Sequence, residues 1–140
     1  MPGPSSFVLD SYAVIGYLEN EPFSGRIQDL LVQARKGDCA LYLHAIHLGE
    51  VYYITLREQG PDLANLAYSR IKAFPLRRID CIDEELLLMA GTLKANHPIS
   101  YADSFAAALA VIKKSSLLTG DAEFKTLERQ GILTIEWLTA

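Results

Sequence analysis

The amino-acid sequence predicts an α/β fold in which helices cover both faces of a parallel β-sheet. Short apolar segments alternate along the chain with longer segments in which apolar residues recur at helical spacing. The short segments are largely continuous in their apolar character, whereas a strand with one solvated face would alternate polar and apolar residues. Strands of this kind need cover on both sides, and the intervening helices provide it. We expect right-handed crossovers between successive strands.

The first half of the chain is expected to contain two strands and four helices. Glycine and proline mark helix ends here, because one helical pattern stops at Gly37 and another at the pair Gly60 and Pro61. The expected elements, in order, are a strand at 6–10, helices at 11–20 and 23–36, a strand at 39–44, and helices at 45–59 and 62–74. Residues 1–6 are expected to form a loose lead-in.

The second half continues the same alternation. Its expected elements are a strand at 76–81, helices at 83–95 and 100–114, a strand at 116–120, a short helix at 122–130 and a closing strand at 132–138. No internal repeat, low-complexity tract or linker divides the chain. We therefore expect residues 1–140 to form a single domain, a length that can bury a sizeable core.

Composition limits the classes of function. The net charge of −4, from 17 acidic and 13 basic residues, argues against an extended electrostatic contact with duplex DNA. No apolar run approaches the roughly 18 residues that span a membrane, and the N-terminus lacks the pattern of a signal peptide. Cys39 and Cys81 are widely spaced and match no metal or redox motif. The sequence therefore indicates a reduced, cytoplasmic protein without a membrane segment.

Four acidic residues are expected at one edge of the sheet. Asp10 ends the first predicted strand, and Asp121 follows the fourth. Asp103 lies in the first turn of the helix that leads into that fourth strand, and Glu50 lies one to two turns into the helix after the second strand. All four positions are near the carboxyl ends of parallel strands, where open α/β sheets bind their ligands.

Each acid also has a structural interpretation. Asp10, Asp103 and Asp121 can cap a helix or face the positive end of its dipole. Asp103, however, lies on a helix face that is otherwise lined by alanines. Glu50 lies along a largely apolar stripe, where an unpaired carboxylate is costly unless it pairs with Arg57. The convergence of the four acids is therefore more informative than any one of them.

Carboxylates gathered at one site need a positive partner. At about 4 Å and an effective dielectric near 20, two like charges repel by roughly 4 kcal/mol. Protonation or a divalent cation would relieve this repulsion, and carboxylate oxygens favour Mg²⁺ or Mn²⁺ over Zn²⁺. His44 and His47, three residues apart, are expected to have packing or surface roles rather than to bind metal. The sequence therefore indicates a magnesium- or manganese-binding site.

Four segments together resemble the PIN-domain nucleases and, within them, the VapC-like toxins of bacterial toxin–antitoxin pairs. The segments are FVLDSYAVIGYLENEP (7–22), LGEVYYI (48–54), YADSFAAALA (101–110) and LLTGDAEF (117–124). The resemblance covers nearly the whole chain. Gly49 departs from it, since many relatives carry a polar residue before the glutamate, but this does not affect the chemistry.

The resemblance assigns roles to six residues. It maps the metal-binding acids of the family onto Asp10, Glu50, Asp103 and Asp121, and its hydroxyl neighbours onto Ser11 and Thr119. Asp10 and Asp103 would be the primary ligands of one or two Mg²⁺ or Mn²⁺ ions, with the other two acids completing the site or orienting a water. The two hydroxyl groups would fix the orientation of the carboxylates.

The resemblance also implies an architecture and a set of partners. The architecture is a three-layer sandwich with a parallel five-stranded sheet flanked by helices. The implied activity is that of a metal-dependent endoribonuclease, acting on RNA as a toxin, and the implied partners are a second copy of the chain and a cognate antitoxin that blocks the site. The helices within 11–37 carry more apolar residues than the cover of one sheet edge requires, and the helix at 45–59 adds Tyr52 and Tyr53. This pattern predicts a groove for an amphipathic antitoxin segment. Internal packing of the same residues is the alternative.

Three other functions can be compared with the sequence. A catalytically inactive PIN-like binding module would share the fold, although it would have no reason to keep four mutually repelling acids. A receiver-type signalling domain would need paired acids after the first strand, where this chain has Asp10 alone, and a lysine after a later strand that we do not find. A phosphatase of the haloacid dehalogenase type would need an acid where Tyr12 lies.

Overall fold

The computed structural model describes residues 5–139, in which five parallel strands form one sheet between two helical layers. The strands are β1 (Ser5–Leu9), β2 (Cys39–His44), β3 (Arg77–Ile79), β4 (Ser116–Thr119) and β5 (Ile135–Trp137). The helices are α1 (Ser11–Leu18), α2 (Ser24–Arg35), α3 (Ala45–Gln59), α4 (Pro61–Ala73), α5 (Glu84–Asn96), α6 (Tyr101–Ile112) and α7 (Lys125–Arg129). A 3₁₀ turn at Ala122–Phe124 precedes α7. The three-layer α/β fold predicted from the sequence is confirmed.

The strand order is β3-β2-β1-β4-β5, and every neighbouring pair is parallel. The chain therefore starts at the centre of the sheet, builds outwards through β2 and β3, and then returns to the other side of β1 for β4 and β5. This reversal places the topological switch point between β1 and β4, and ligands bind at the carboxyl ends of strands beside such a point. The order also excludes a receiver-type domain, whose strands run 2-1-3-4-5.

The core has two parts, one on each face of the sheet. Successive side chains of a strand point to opposite faces, so Phe7 and Leu9 enter one cluster and Val8 enters the other. The first cluster includes apolar residues of α1, α2, α3 and α4, and the second includes residues of α5, α6 and α7. The centre of α6 is buried on all sides, and its run of small alanine side chains lets neighbouring elements pack closely around it.

Side-chain caps begin the helices that follow strands. Asp10 caps α1 by accepting a hydrogen bond from the Ala13 amide, and His44 caps α3 through the Ile46 amide. Gly60, at a φ of +91°, ends α3, and Pro61 is the first residue of α4, where its missing N–H costs nothing. These local signals explain why α3 has the limits expected from the sequence.

Other boundaries differ from those expected. Two expected strands are too long, because β3 covers only Arg77–Ile79 and β5 only Ile135–Trp137. Both are edge strands that pair on one side, and Leu133, within the expected closing strand, packs into the core outside any strand. The short expected helix is divided into the 3₁₀ turn and α7, and α1 ends before Asn20, which has a φ of +57°.

The first strand begins within the lead-in expected at residues 1–6. Ser5 and Ser6 belong to β1, so this part of the expectation is corrected, and residues 1–4 lie outside the part that the structure describes. Among the described helices, none combines the length and the apolar character needed to cross a membrane.

Candidate metal centre

Asp10 is buried at the carboxyl end of β1, where it is 2 % exposed. Its Oδ1 accepts a hydrogen bond from the Ala13 amide at 2.9 Å, and its Oδ2 accepts one from the Thr119 hydroxyl at 2.5 Å. Both carboxylate oxygens are therefore held in place by groups from two different elements, the first turn of α1 and the end of β4.

Thr119 joins the two strands that border the switch point. Its hydroxyl donates to Asp10 and also accepts a hydrogen bond from the Asp121 amide at 3.0 Å. Between them lies Gly120, where a Cβ atom would come within 2.3 Å of the Tyr12 ring. A side chain at this position would therefore displace the Tyr12 ring from its place beside the turn after β4.

Asp103 and Asp121 approach each other, and the structure adds a third carboxylate that the sequence reasoning missed. Oxygen atoms of Asp103, Asp121 and Glu123 lie within 4.8 Å of one another. Glu123 is held in place because its Oε1 accepts a hydrogen bond from the Ser100 amide at 3.0 Å, while its own amide donates to Asp121 at 2.9 Å. Glu123 lies two residues after Asp121, just beyond a strand, and this spacing was the sequence signal that could have identified it as a site residue.

Glu50 is half-buried on α3, one turn after His47, and its Oε1 is buried without a hydrogen-bond partner. Burial raises the pKa of Glu50, and a hydrogen bond from the Ser11 side chain, in the first turn of α1, opposes this shift. Arg57 lies over the Tyr53 ring, 5.4 Å from its centroid. Among residues 5–139, no ion pair joins Glu50 to Arg57, so the structural explanation considered for Glu50 does not apply.

Burial dominates the electrostatics of this site. It raises the pKa of Asp10 to about 7, although the hydrogen bonds from Thr119 and Ala13 act in the opposite direction. The charges of Asp121 and Glu50 raise the pKa of Asp10 further. Burial, together with hydrogen bonding to Glu123 and the charge of Asp121, raises the pKa of Asp103 to about 8. At neutral pH, these acids hold protons or require a cation.

The site residues fit a hard divalent cation. Among residues 5–139, the ion pairs join Arg26 to Glu136 and Arg78 to Asp80, and neither lies at this site. The donor set consists of carboxylate oxygens, which Mg²⁺ and Mn²⁺ prefer. The buried, unpartnered oxygen of Glu50 is the kind of group that a cation or its bound water would satisfy. The tight group comprises Asp103, Asp121 and Glu123, with Asp10 and Glu50 beside it.

A groove begins beside the acids and follows α1. It has a volume of about 370 Å³ and is lined by Ser11, Tyr12, Ile15, Gly16, Glu19, Glu21, Phe23, Ile54 and Asp121. A second groove of about 410 Å³, between α1, α3 and α4, shares Ile15 and Glu19 with the first. Internal packing accounts for part of the apolar surface expected on these helices, since Ile27, Leu30 and Leu31 are core residues, whereas Tyr12 and Tyr53 are exposed and Ile15 lines both grooves.

Comparison with known proteins gives a consistent result. The family model described as PIN domain matches residues 7–130. No curated protein sequence is significantly similar to the chain. The fold is similar to that of VapBC2 from Rickettsia felis, solved with a DNA fragment from its promoter, with a TM-score of 0.76, 16 % identity and coverage of 96 % of this chain and 99 % of that one.

Two other solved structures share the fold. VapBC-1 from nontypeable Haemophilus influenzae has a TM-score of 0.70 and 20 % identity, and the match covers 96 % of this chain and 99 % of that one. VapC20 from Mycobacterium tuberculosis, a toxin that cleaves the sarcin–ricin loop, has a TM-score of 0.65 and 16 % identity over 86 % of this chain and 93 % of that one. At these identities the likeness establishes the shared fold.

Proposed function

The chain belongs to the PIN domain family, and on that premise we propose that it is a divalent-metal-dependent endoribonuclease that acts as the toxin of a toxin–antitoxin pair. The observation that carries this proposal is the group of acids at the switch point: Asp10 and Asp103 are buried and have raised pKa values, and among the described residues no ion pair joins the group to a basic side chain. The similar fold of VapC20, a toxin that cleaves the sarcin–ricin loop, supports RNA as the substrate.

The metal ligands in this proposal are Asp10, Glu50, Asp103 and Asp121, and we add Glu123. A bound Mg²⁺ or Mn²⁺ ion would supply a water of lowered pKa and positive charge beside the scissile phosphate. Thr119 keeps the Asp10 carboxylate oriented through its short hydrogen bond. Ser11 does the same for Glu50.

Glu50 has a further role in this proposal. Its Oε1 is buried and has no hydrogen-bond partner in the described chain, and a metal-bound water at the site would supply the missing donor. Its raised pKa brings the carboxylate closer to the range in which a group can take up a proton at neutral pH. We therefore assign Glu50 to the orientation and deprotonation of the water.

A cognate antitoxin is the proposed protein partner. The fold is similar to that of toxins solved as VapBC complexes, and the groove along α1 starts at the acids and continues between α1, α3 and α4. Apolar side chains such as Tyr12, Phe23 and Ile54 suit an amphipathic segment that fills a groove. An arginine or lysine of that segment would reach the acids and take the place of the metal charge.

A second copy of the chain is the other proposed partner. Leu87 and Leu88 on α5 are exposed, as are Ile82 just before this helix and Tyr101 at the start of α6. Exposed apolar residues are often used at interfaces between subunits. We propose that this α5–α6 surface forms a homodimer and that the dimer acts in the cytoplasm, where its RNA substrates are found.

Cleavage of RNA tests the proposed activity directly. Protein purified free of antitoxin should cut structured RNA in the presence of Mg²⁺ or Mn²⁺ and leave 5′-phosphate and 3′-hydroxyl ends. EDTA and Glu50→Gln should each abolish cleavage. Glu58→Gln, which changes an exposed acid on the same helix, should leave it intact.

The products distinguish the alternatives. Products with a 2′,3′-cyclic phosphate would indicate a metal-free mechanism and contradict the assignment. An inactive binding module would bind the antitoxin but release no products at any metal concentration.

A further inference from the structure

A buried histidine connects the two helices that carry Glu50 and Asp103. His47, three residues before Glu50 on α3, is 0 % exposed. Its Nε2 lies 2.9 Å from the carbonyl oxygen of Ala102, the residue directly before Asp103 on α6. Because a carbonyl oxygen can only accept, Nε2 carries the proton and donates this hydrogen bond.

Packing alone does not explain a histidine at this position. The other ring nitrogen, Nδ1, is buried without a hydrogen-bond partner in residues 5–139. An unsatisfied buried nitrogen costs free energy that an apolar side chain of similar size would avoid. Burial lowers the pKa of His47 to about 4, so the ring is neutral at physiological pH and brings no charge to the acids. What the histidine provides is the donor at Nε2.

The hydrogen bond connects α3 and α6, two helices that pack mainly against different neighbours. Helix α3 packs chiefly against α4, and α6 packs chiefly against α5 in the other layer. The separation of Glu50 and Asp103 therefore depends on any movement of α3 relative to α6, which have few direct contacts with each other. A buried hydrogen bond between the backbone of α6 and the ring of His47 opposes that movement.

We propose that His47 is a positioning residue for the metal centre: its hydrogen bond to the Ala102 carbonyl fixes the separation between Glu50 and Asp103. The inference rests on the proposed metal-dependent function of these acids. His47 touches neither metal nor substrate in this proposal, and it acts through the backbone of α6.

His44 provides a matched control within the same chain. It is equally buried, and its Nε2 donates to the carbonyl oxygen of Cys81 at 3.0 Å, in the loop after β3. That bond does not join two elements that carry the acids. Asn at position 44 would keep the cap on α3, since its side-chain oxygen can accept from the Ile46 amide, and would lose the bond to Cys81.

Three variants separate positioning from general stability. His47→Leu removes the donor, His47→Gln keeps an N–H donor at a similar distance from the backbone, and His44→Asn removes the comparable bond elsewhere. Calorimetry with Mn²⁺ alone should show a loss of affinity of about tenfold or more for His47→Leu, as for other residues that orient metal ligands. His47→Gln should recover most of this loss, and His44→Asn should bind Mn²⁺ as the wild type does.

Amide hydrogen exchange of the metal-free protein gives a readout that does not depend on metal. In His47→Leu, exchange should become faster at residues 103–106 of α6, and clearly faster than in His44→Asn, which at α6 loses only a ring contact with Phe105. Equal Mn²⁺ affinity in His47→Leu and wild type, or equal losses in His47→Leu and His44→Asn, would overturn the proposal. If His47→Leu does not fold, His47→Asn, too short to reach Ala102, takes its place.

The same data distinguish the two proposals. A wild-type protein that does not bind Mn²⁺, in which His47→Leu nevertheless speeds exchange at residues 103–106, would contradict the metal-dependent function and retain the structural link. Normal Mn²⁺ binding by wild type and His47→Leu alike would retain the function and contradict the role of His47.

Discussion

Asp10 accepts hydrogen bonds on both carboxylate oxygens, yet its pKa is raised to about 7. Hydrogen bonds to a carboxylate stabilise its charged form, so the loss of hydration on burial outweighs two favourable contacts. Asp103, in the first turn of α6, has a pKa of about 8, and here burial, the hydrogen bond with Glu123 and the charge of Asp121 all raise it. At the scale of single residues, the charged forms of Asp10 and Asp103 are therefore disfavoured until a cation is present.

Removal of one acid should abolish metal binding and stabilise the metal-free protein. Asp10→Asn and Asp103→Asn each delete a charge from a repelling group, so the Tm without metal should rise while Mn²⁺ binding is lost. Calorimetric titration with Mn²⁺ and thermal unfolding in EDTA measure the two effects. Asp29→Asn, an exposed acid on α2, should change neither. Equal Mn²⁺ binding by the wild type and both variants would contradict the ligand assignment.

The raised pKa values give the metal-free protein a defined dependence on pH. Asp10 and Asp103 have folded-state pKa values near 7 and 8, above the ordinary value of 3.8, so the folded state binds more protons than the unfolded state between these limits. Their contribution to stability is therefore complete below pH 3.8 and is lost as the pH rises through 7 and 8.

Urea unfolding in EDTA at several pH values measures this effect. The free energy of unfolding of the wild type should fall, relative to that of the Asp10→Asn, Asp103→Asn double variant, as the pH rises towards 8. Mn²⁺ affinity should rise over the same range, because the metal displaces the two protons. A difference between the two proteins that stays constant with pH would show that these acids are already ionised.

At the scale of elements, α1 and α2 are held together by a glycine and an aromatic ring. A Cβ atom at Gly16 would lie 2.0 Å from the tip of the Phe23 ring, and this ring stacks on Tyr12 with centroids 5.7 Å apart. Phe23 is buried and has little freedom to move away. The close approach of these helices shapes the groove beside the acids, since all three residues line it.

Alanine at Gly16 should therefore lower the stability through a packing clash, although alanine favours a helix more than glycine does. Gly16→Ala should destabilise the protein by about 1–3 kcal/mol, the usual cost of overfilling a packed core. Gly91→Ala, in the interior of α5 where no atom lies within 4 Å of the new Cβ, should stabilise it by about 0.5–1 kcal/mol. Chemical denaturation of both variants measures the difference. A stabilising effect of Gly16→Ala would mean that Phe23 moves without cost.

The helices and strands also show which boundaries could be predicted from sequence patterns. The helix α3 and the strand β2 were predicted with their observed limits, because a cap, a glycine and a proline mark them locally. The edge strands were predicted too long, since apolar residues such as Leu133 pack into the core from a loop and look like strand residues. Local patterns do not distinguish these two uses of an apolar side chain.

The site shows the same limit. Asp10, Glu50, Asp103 and Asp121 could be predicted to share one edge, because strand and helix directions determine it. The place of Glu123 could not, because it depends on a hydrogen bond from Ser100, 23 residues away in sequence. The bond between His47 and Ala102, 55 residues apart, likewise depends on how α3 and α6 meet around the sheet.

At the scale of the whole molecule, the strand order places the proposed metal centre next to the proposed antitoxin groove. The switch point between β1 and β4 holds Asp10 and Asp121, and the groove along α1 starts from the same place, since Ser11 and Asp121 line it. A partner that fills this groove therefore ends at the acids. The metal and a basic residue of the antitoxin would compete for one set of carboxylates.

Antitoxin binding should therefore weaken as the magnesium concentration rises. Titrations of the wild type with its cognate antitoxin at several Mg²⁺ concentrations should show this competition, and Asp103→Asn should reduce it. Glu58→Gln should behave as the wild type does. An affinity that is flat in Mg²⁺ for the wild type and for Asp103→Asn would mean that no cationic group of the antitoxin enters the acidic site.

The hydrogen bond between Thr119 and Asp10 joins residues that are 109 positions apart, and this separation has a consequence for synthesis on the ribosome. A nascent chain that ends before β4 has β1 and Asp10 but lacks Thr119, Asp121 and Glu123. The acidic centre therefore cannot assemble during most of translation, even if the first helices have already folded. A ribosome that makes this protein is thus exposed to a completed site only when synthesis has passed residue 123 and the last segment has folded against the first.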